Sequence, residues 1–249
     1  MTQQARVALI TGGIGGIGTA ICRRLATDGY RVVANHHPAE QEAADAWRRE
    51  RAEEGQEIDT VAGDVASFED ASRMVQEDKD RYGAVDVLVN CAGITRDKTF
   101  KKMEHGHWVA VIDVNLNSVF NATRPVWEDM LERGFGRVIN ISSVNGQRGQ
   151  FGQANYSTAK AGMHGFTMAL AQEGAAKGVT VNTVSPGYVE TAMTLAMRED
   201  VREAIIAGIP MRRMGNPAEI ASVVAFLAAE ENGYVTGANI PVNGGLFMH

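Results

Sequence analysis

Tyr156 and Lys160 stand four residues apart in NYSTAKAG, downstream of the pair Ser142–Ser143. On a helix, positions i and i+4 share a face one turn apart, so this spacing brings a phenol beside an ammonium. A free tyrosine titrates near ~10 and is a poor acid–base group at neutral pH. A neighbouring positive charge favours the phenolate and draws the phenol toward the working range. Ser143 closes the apolar run GRVINISS, where its hydroxyl can donate to a carbonyl oxygen. These three side chains predict proton transfer to an oxygen held in place. Isolated Y-x-x-x-K pairs are frequent on helix surfaces, so the reading depends on what surrounds them.

Upstream, TGGIGGIG (11–18) follows the first apolar run and opens a helical segment. Gly13, Gly15 and Gly18 fit G-x-G-x-x-G, while Thr11-Gly12, Gly16 and Gly18 fit the looser T-G-x-x-x-G-x-G. Glycines allow a tight turn and close backbone approach, and free N–H groups at a helix start attract an anion. Thr11, Gly12, Gly13, Ile14, Gly16, Ile17 and Gly18 are the expected cradle for a dinucleotide pyrophosphate. The oxidised nicotinamide of such a cofactor would add its charge to that of Lys160 beside the phenol.

The second strand ends Ala34-Asn35-His36-His37, with no carboxylate before Glu40 to accept from a ribose 2′-OH. Asn35, His36 or His37 can instead donate to a 2′-phosphate, so NADP (as NADPH) is expected. NAD stays open because no arginine follows this strand. Asp64, between Gly63 and Val65, can accept from an adenine amino group, although a carboxylate there also suits a helix N-terminus. Asn90, Cys91, Ala92 and Gly93 are small residues where backbone can approach the cofactor ribose.

Seven short apolar runs carry these motifs: 5–10, 30–35, 58–63, 85–90, 136–142, 178–185 and 238–243. Runs apolar at nearly every position suit strands covered on both faces. Amphipathic segments lie between them at Ile17–Asp28, Glu40–Glu54, Ala66–Arg81, His107–Arg133 and Tyr156–Lys177. The alternation predicts an α/β fold: a Rossmann-like, doubly wound parallel sheet flanked by helices. Without linker, repeat or low-complexity stretch, residues 1–249 are expected to form a single domain.

Composition narrows the class. A formal charge of −6 disfavours a general nucleic-acid binder. Cys22 and Cys91 are too few for a disulfide framework, and the start of the chain resembles no leader, so a cytoplasmic location is expected. No apolar run approaches the length of a membrane span. His36–His37 and His105/His107 lack partners at ligand spacing, and no metal is expected.

Over its whole length the sequence resembles the short-chain dehydrogenases/reductases, through Thr11–Gly18, Asn90–Gly93, Asn115, Ser143, Tyr156–Lys160, Pro186-Gly187 and the terminal VNGG. The resemblance implies a catalytic tetrad of Asn115, Ser143, Tyr156 and Lys160, with Asn115 relaying protons through water to Lys160. It implies cofactor contacts at Pro186, Gly187, Val189 and Thr191, and a homotetramer packed partly through the Tyr156 helix. Cys91 departs from the commoner asparagine at its position. Within the family, NCAGITRD, QRGQFGQANYSTAKAG and TVSPGYVET are most similar to reductases of acetoacetyl-CoA in polyhydroxyalkanoate synthesis. That likeness implies substrate contacts at Asp97, Lys102, Ser143, Gln150, Phe151, Gln153, Gly187 and Tyr188, and a (3R)-3-hydroxyacyl-CoA product. Arg96, Lys98, Lys101, Lys102 and Arg148 suit a polyanionic CoA, and Met193, Met197, Met211 and Met214 can cover its arm. Reduction of an acyl-carrier-protein thioester is the nearest alternative, because it uses the same tetrad. A catalytically silent nucleotide-binding subunit would lack Tyr156 or Lys160, and both are present.

Overall fold

The computed structural model describes residues 5–248, except for the side chain of Met193. All seven apolar runs form strands: β1 Val7–Thr11, β2 Arg31–His36, β3 Ile58–Ala62, β4 Val85–Asn90, β5 Gly136–Ile141, β6 Val179–Pro186 and β7 Asn239–Val242. They build one parallel sheet in the order β3-β2-β1-β4-β5-β6-β7. The order reverses direction between β1 and β4, the switch point where open α/β sheets receive ligands. β7, the half-buried edge strand, carries Pro241, where a missing ladder donor is tolerated.

Helices α1 Gly16–Thr27, α2 Gln41–Glu53, α3 Phe68–Tyr82, α4 His105–Ile112, α5 Ser118–Arg133, α6 Val144–Arg148, α7 Ala154–Gly174, α8 Ala192–Leu195, α9 Glu199–Gly208 and α10 Pro217–Ala228 cover the sheet. The expected His107–Arg133 segment begins two residues earlier and passes through a π-turn at Asp113–Asn117, between α4 and α5. Periodicity cannot see such a turn, yet it is common at functional sites.

Alternation along the strands sorts the core onto the two faces. Ala8, Ile10, Val87, Val89, Ile139 and Ile141 pack with Ile21 and Leu25 of α1, Trp47 of α2 and Ile220, Val224 and Leu227 of α10. Leu9, Leu88 and Val138 turn the other way, toward Met74 of α3, Val126 and Met130 of α5 and Ala171 of α7. At the carboxyl ends a polar row crosses the sheet in register, Thr11 beside Asn90, Asn90 beside Asn140 and Asn140 beside Thr183. Asn90 Nδ2 donates to Asn140 Oδ1 at 2.8 Å, and Asn140 Nδ2 donates to Thr167 Oγ1 at 2.8 Å. These buried bonds fix the relative height of the strands that carry the site.

One core-facing position breaks the apolar rule. Asp78 follows Ala71, Met74 and Val75 on the buried stripe of α3, and neither carboxyl oxygen has a partner among the described residues. Burial pushes its carboxyl up to about 7, with Asp59 and Glu77 adding to the shift and Arg81 opposing it. The folded state therefore keeps a proton that the unfolded chain releases near ~3.9. Stability is full below that value, declines as pH rises toward about 7, and is lowest above it. At about 1.4 kcal/mol per unit the penalty reaches a few kcal/mol. Asp78→Asn is expected to melt several degrees higher than wild type at pH 8 and to converge with it near pH 4. Melting curves across that range check this, and a difference independent of pH would contradict it.

Candidate active site

Both mouths of the site start from backbone. Thr11 is buried, and its Oγ1 accepts from the N–H groups of Cys91 (3.0 Å) and Ala92 (3.1 Å), stitching the end of β1 to the end of β4. Gly12 takes φ +62°, and a Cβ there would lie 2.9 Å from Ala92 Cα. Across the cleft, a Cβ on Gly16 would come within 3.0 Å of the Thr191 methyl. Helix α1 begins without a side-chain cap or an acidic residue in its first turn, whereas Ser67 caps α3 and Asn216 caps α10. The first-turn N–H groups of α1 thus lack a competing acceptor, as a pyrophosphate site requires. The residues present fit a dinucleotide.

The end of β2 corrects one expectation. Asn35 is buried, its Nδ2 donates to the carbonyls of His36, Val61 and Gly63, and its Oδ1 accepts from Gly12 N–H. Its amide is spent holding the glycine loop against β2 and β3, so it is no phosphate donor. His36 is also buried, with Nδ1 3.0 Å from the His37 carbonyl. His37 is the exposed member. Its Nδ1 accepts from Ala39 N–H at 3.2 Å, which places the ring proton on Nε2, 3.9 Å from Asp64 Oδ2. Asp64 also accepts from Ala66 N–H through Oδ1, so it both shapes the turn before α3 and offers a carboxylate at the cleft. The side chain of Asn90 is likewise turned inward, donating to Thr123 and Asn140, and the Gly63 backbone is engaged by His36 and Asn35.

Tyr156 and Lys160 lie one turn apart on α7, with Nζ 5.7 Å from the phenol ring centre. Lys160 is buried and donates to the Ile141 carbonyl at 2.8 Å. Ser143, at the mouth of β5, hydrogen-bonds the Tyr156 phenol, and its Oγ accepts from Asn145 N–H at 3.1 Å. The expected depression of the phenol is not what these groups produce on their own. Burial pushes Tyr156 up to about 12, a shift that Ser143 opposes and the charge of Asp97 reinforces. Burial also draws Lys160 down to about 8. Burial disfavours the charged form of each group, yet an amine near about 8 still carries its charge at neutral pH; for the phenol, desolvation outweighs the groups that oppose it. At neutral pH Tyr156 therefore holds its proton, the state a proton donor must enter in.

Asn115 sits in the π-turn, fully buried, with Nδ2 donating to the carbonyls of Ile94 (2.9 Å) and Val111 (2.8 Å). Its Oδ1 is a buried acceptor without a partner among the described residues. A Cβ on Gly93 would lie 2.7 Å from this oxygen and 3.5 Å from Lys160 Nζ, so both atoms border one small space.

The glutamine-rich approach is a wired wall. Gln153 Oε1 accepts from Asn145 Nδ2 at 2.9 Å, and its Nε2 donates to Asp97 Oδ2 at 2.8 Å. Lys98 N–H donates to the Gly152 carbonyl at 2.9 Å, joining the segments that follow β4 and β5. Phe151 is 87% exposed. Gln150, Arg148 and Tyr188 line a cavity of about 520 Å³ with Val201, Ala204 and Ile205 of α9, a size that suits a small-molecule site. Gly187 is pressed on Asn243 and donates to the Val242 carbonyl at 2.9 Å, which explains the terminal VNGG. Lys102 lies on an exposed turn and does not line this cavity. Met214 is core, and Met197 and Met211 lie outside the cavity; the side chain of Met193 is outside the described residues. A larger recess of about 700 Å³, lined by Arg6, Tyr30 and Glu230, contains none of the predicted site residues. Asn145 and Asn155, which hold the wall and the Tyr156 turn, were not singled out by sequence; their only signal is two asparagines flanking the Ser–Tyr interval.

The comparisons agree with this arrangement. Residues 6–202 match the family model described as short chain dehydrogenase. The chain is 74% identical, over 98% of its length and all of the relative's, to an acetoacetyl-CoA reductase of Allochromatium vinosum. It is 56% identical over all of both chains to an acetoacetyl-CoA reductase of Cupriavidus necator. With 3-oxoacyl-[acyl-carrier-protein] reductase FabG of Vibrio cholerae the identity is 42%, again over all of both chains. The crystal structure of gox2181 superposes with a TM-score of 0.92 at 36% identity, covering 98% of this chain and 96% of that one.

Proposed function

The chain belongs to the short-chain dehydrogenase family and is a nicotinamide-dependent oxidoreductase, and we propose that it reduces the 3-keto group of acetoacetyl-CoA. The observation that carries the proposal is the Tyr156–Ser143–Lys160 cluster beside the Gln153–Asp97 wall, on a chain 74% identical to a reductase of that name. A reduced nicotinamide bound beside the glycine loop would supply a hydride to the keto carbon. Ser143 Oγ–H holds the keto oxygen, and Tyr156 gives it a proton. Lys160, near about 8, is suited to return that proton, with the space bordered by Asn115 Oδ1 as its outlet. The product is then (3R)-3-hydroxybutyryl-CoA, a precursor of polyhydroxybutyrate.

Arg148 and Gln150 beside the 520 Å³ cavity support a thioester entering between the 149–153 loop and α9. His37, exposed just beyond β2 where no carboxylate follows the strand before Glu40, supports NADPH over NADH. Initial rates of acetoacetyl-CoA reduction with each nucleotide test both halves: faster turnover with NADPH is expected, and a clear NADH preference would reverse the cofactor assignment. A cytoplasmic homotetramer remains part of the same proposal.

A further inference from the structure

Asn155 directly precedes Tyr156 and is fully buried in the first turn of α7. Its Nδ2 donates to the carbonyls of Arg96 (3.2 Å) and His107 (3.0 Å), and its Oδ1 accepts from Tyr156 N–H at 2.8 Å. The residue before α7, Gln153, gives no side-chain cap, so the backbone donor of Tyr156 would otherwise be an orphan of the first turn. Asn115 makes a matching pair of bonds, to the carbonyls of Ile94 and Val111. The two amides grip the same loop at 94 and 96 and the same helix, α4, at 107 and 111, one turn apart.

We infer that Asn155 is a positioning residue: it fixes the height of Tyr156 against the loop and helix that Asn115 also holds. The phenol and the relay asparagine are thereby registered to one shared support rather than each to its own helix. An error of about 1 Å in such a constellation costs on the order of 10²-fold in rate. The inference rests on Tyr156 being the proton donor, a premise that Tyr156→Phe tests separately in the same assay.

Asn155→Ala removes all three bonds. With acetoacetyl-CoA and NADPH, kcat is expected to fall by about 10- to 100-fold. The NADPH Kd, read by cofactor fluorescence, should stay within about twofold, because the glycine loop is held by Thr11 and Asn35. Asn155→Asp keeps the acceptor for Tyr156 N–H, loses both donors when ionised and regains one when protonated. Its kcat relative to wild type is therefore expected to rise as pH falls, a response that simple loss of packing would not give. A kcat within about threefold of wild type in both variants would overturn the inference. So would parallel loss of NADPH binding, or failure of both variants to fold, since either would assign Asn155 to the fold at large.

Discussion

Tyr156→Phe is expected to lower kcat for acetoacetyl-CoA reduction by about 10³-fold and to leave the NADPH Kd nearly unchanged. The ring stays in place, because its setting depends on the bond that Tyr156 N–H donates to Asn155 Oδ1 and on the Lys160 ammonium near the ring; only the proton source is removed. The raised phenol is no obstacle in the reductive direction. The alkoxide that develops on the keto oxygen as hydride reaches the keto carbon is a far stronger base than a phenolate, so a donor near about 12 still delivers its proton. Return of that proton is the role proposed for Lys160. In wild type, kcat is therefore expected to decline as pH rises through about 8, where the buried amine loses its charge. Stopped-turnover rates and fluorescence titration of the cofactor check both parts. Retained turnover in Tyr156→Phe would remove Tyr156 as the acid.

Ser143→Ala should cost about 10²- to 10³-fold in kcat, the range for removing one donor at a developing oxyanion. Two structural consequences add to the direct loss. The Tyr156 phenol loses the hydrogen bond that opposes its upward shift, and Asn145 N–H loses its acceptor at the start of α6. Because Asn145 also holds Gln153, KM for the thioester is expected to rise together with the fall in kcat. Steady-state kinetics on both parameters checks this. A change confined to KM would mean that Ser143 binds substrate without assisting the chemistry.

Much of the site was legible because its chemistry depends on spacing along single elements. The Tyr–Lys pair needs only one helix turn, and the glycine loop needs only strand, turn and helix in succession. The alternation of buried strands likewise sets the parallel sheet, and every expected strand is present within one or two residues of its range. The failures involve side chains whose partners lie far away in sequence. Asn35 reads as a free donor, yet its amide is consumed by Gly12, Val61 and Gly63. Gln153 is a different case: it keeps its proposed place in the substrate wall, and only its bonds to Asn145 and Asp97 are hidden from sequence, because they form once two loops meet. Asp78 sits at a core position of an otherwise amphipathic helix, where polarity hides burial. The phenol shift departs from expectation for a related reason: spacing shows the charge of Lys160, whereas burial of both groups appears only in the fold.

Gln150 and Tyr188 line a cavity with α9, the proposed entry for the thioester, where a CoA carrier and a protein carrier would be told apart. Purified enzyme with NADPH, given acetoacetyl-CoA and an acetoacetyl-acyl-carrier-protein in separate reactions, tests that choice through kcat/KM. A higher kcat/KM for acetoacetyl-CoA, with (3R)-3-hydroxybutyryl-CoA as product, is the predicted result. Turnover of the carrier-protein thioester alone would contradict it.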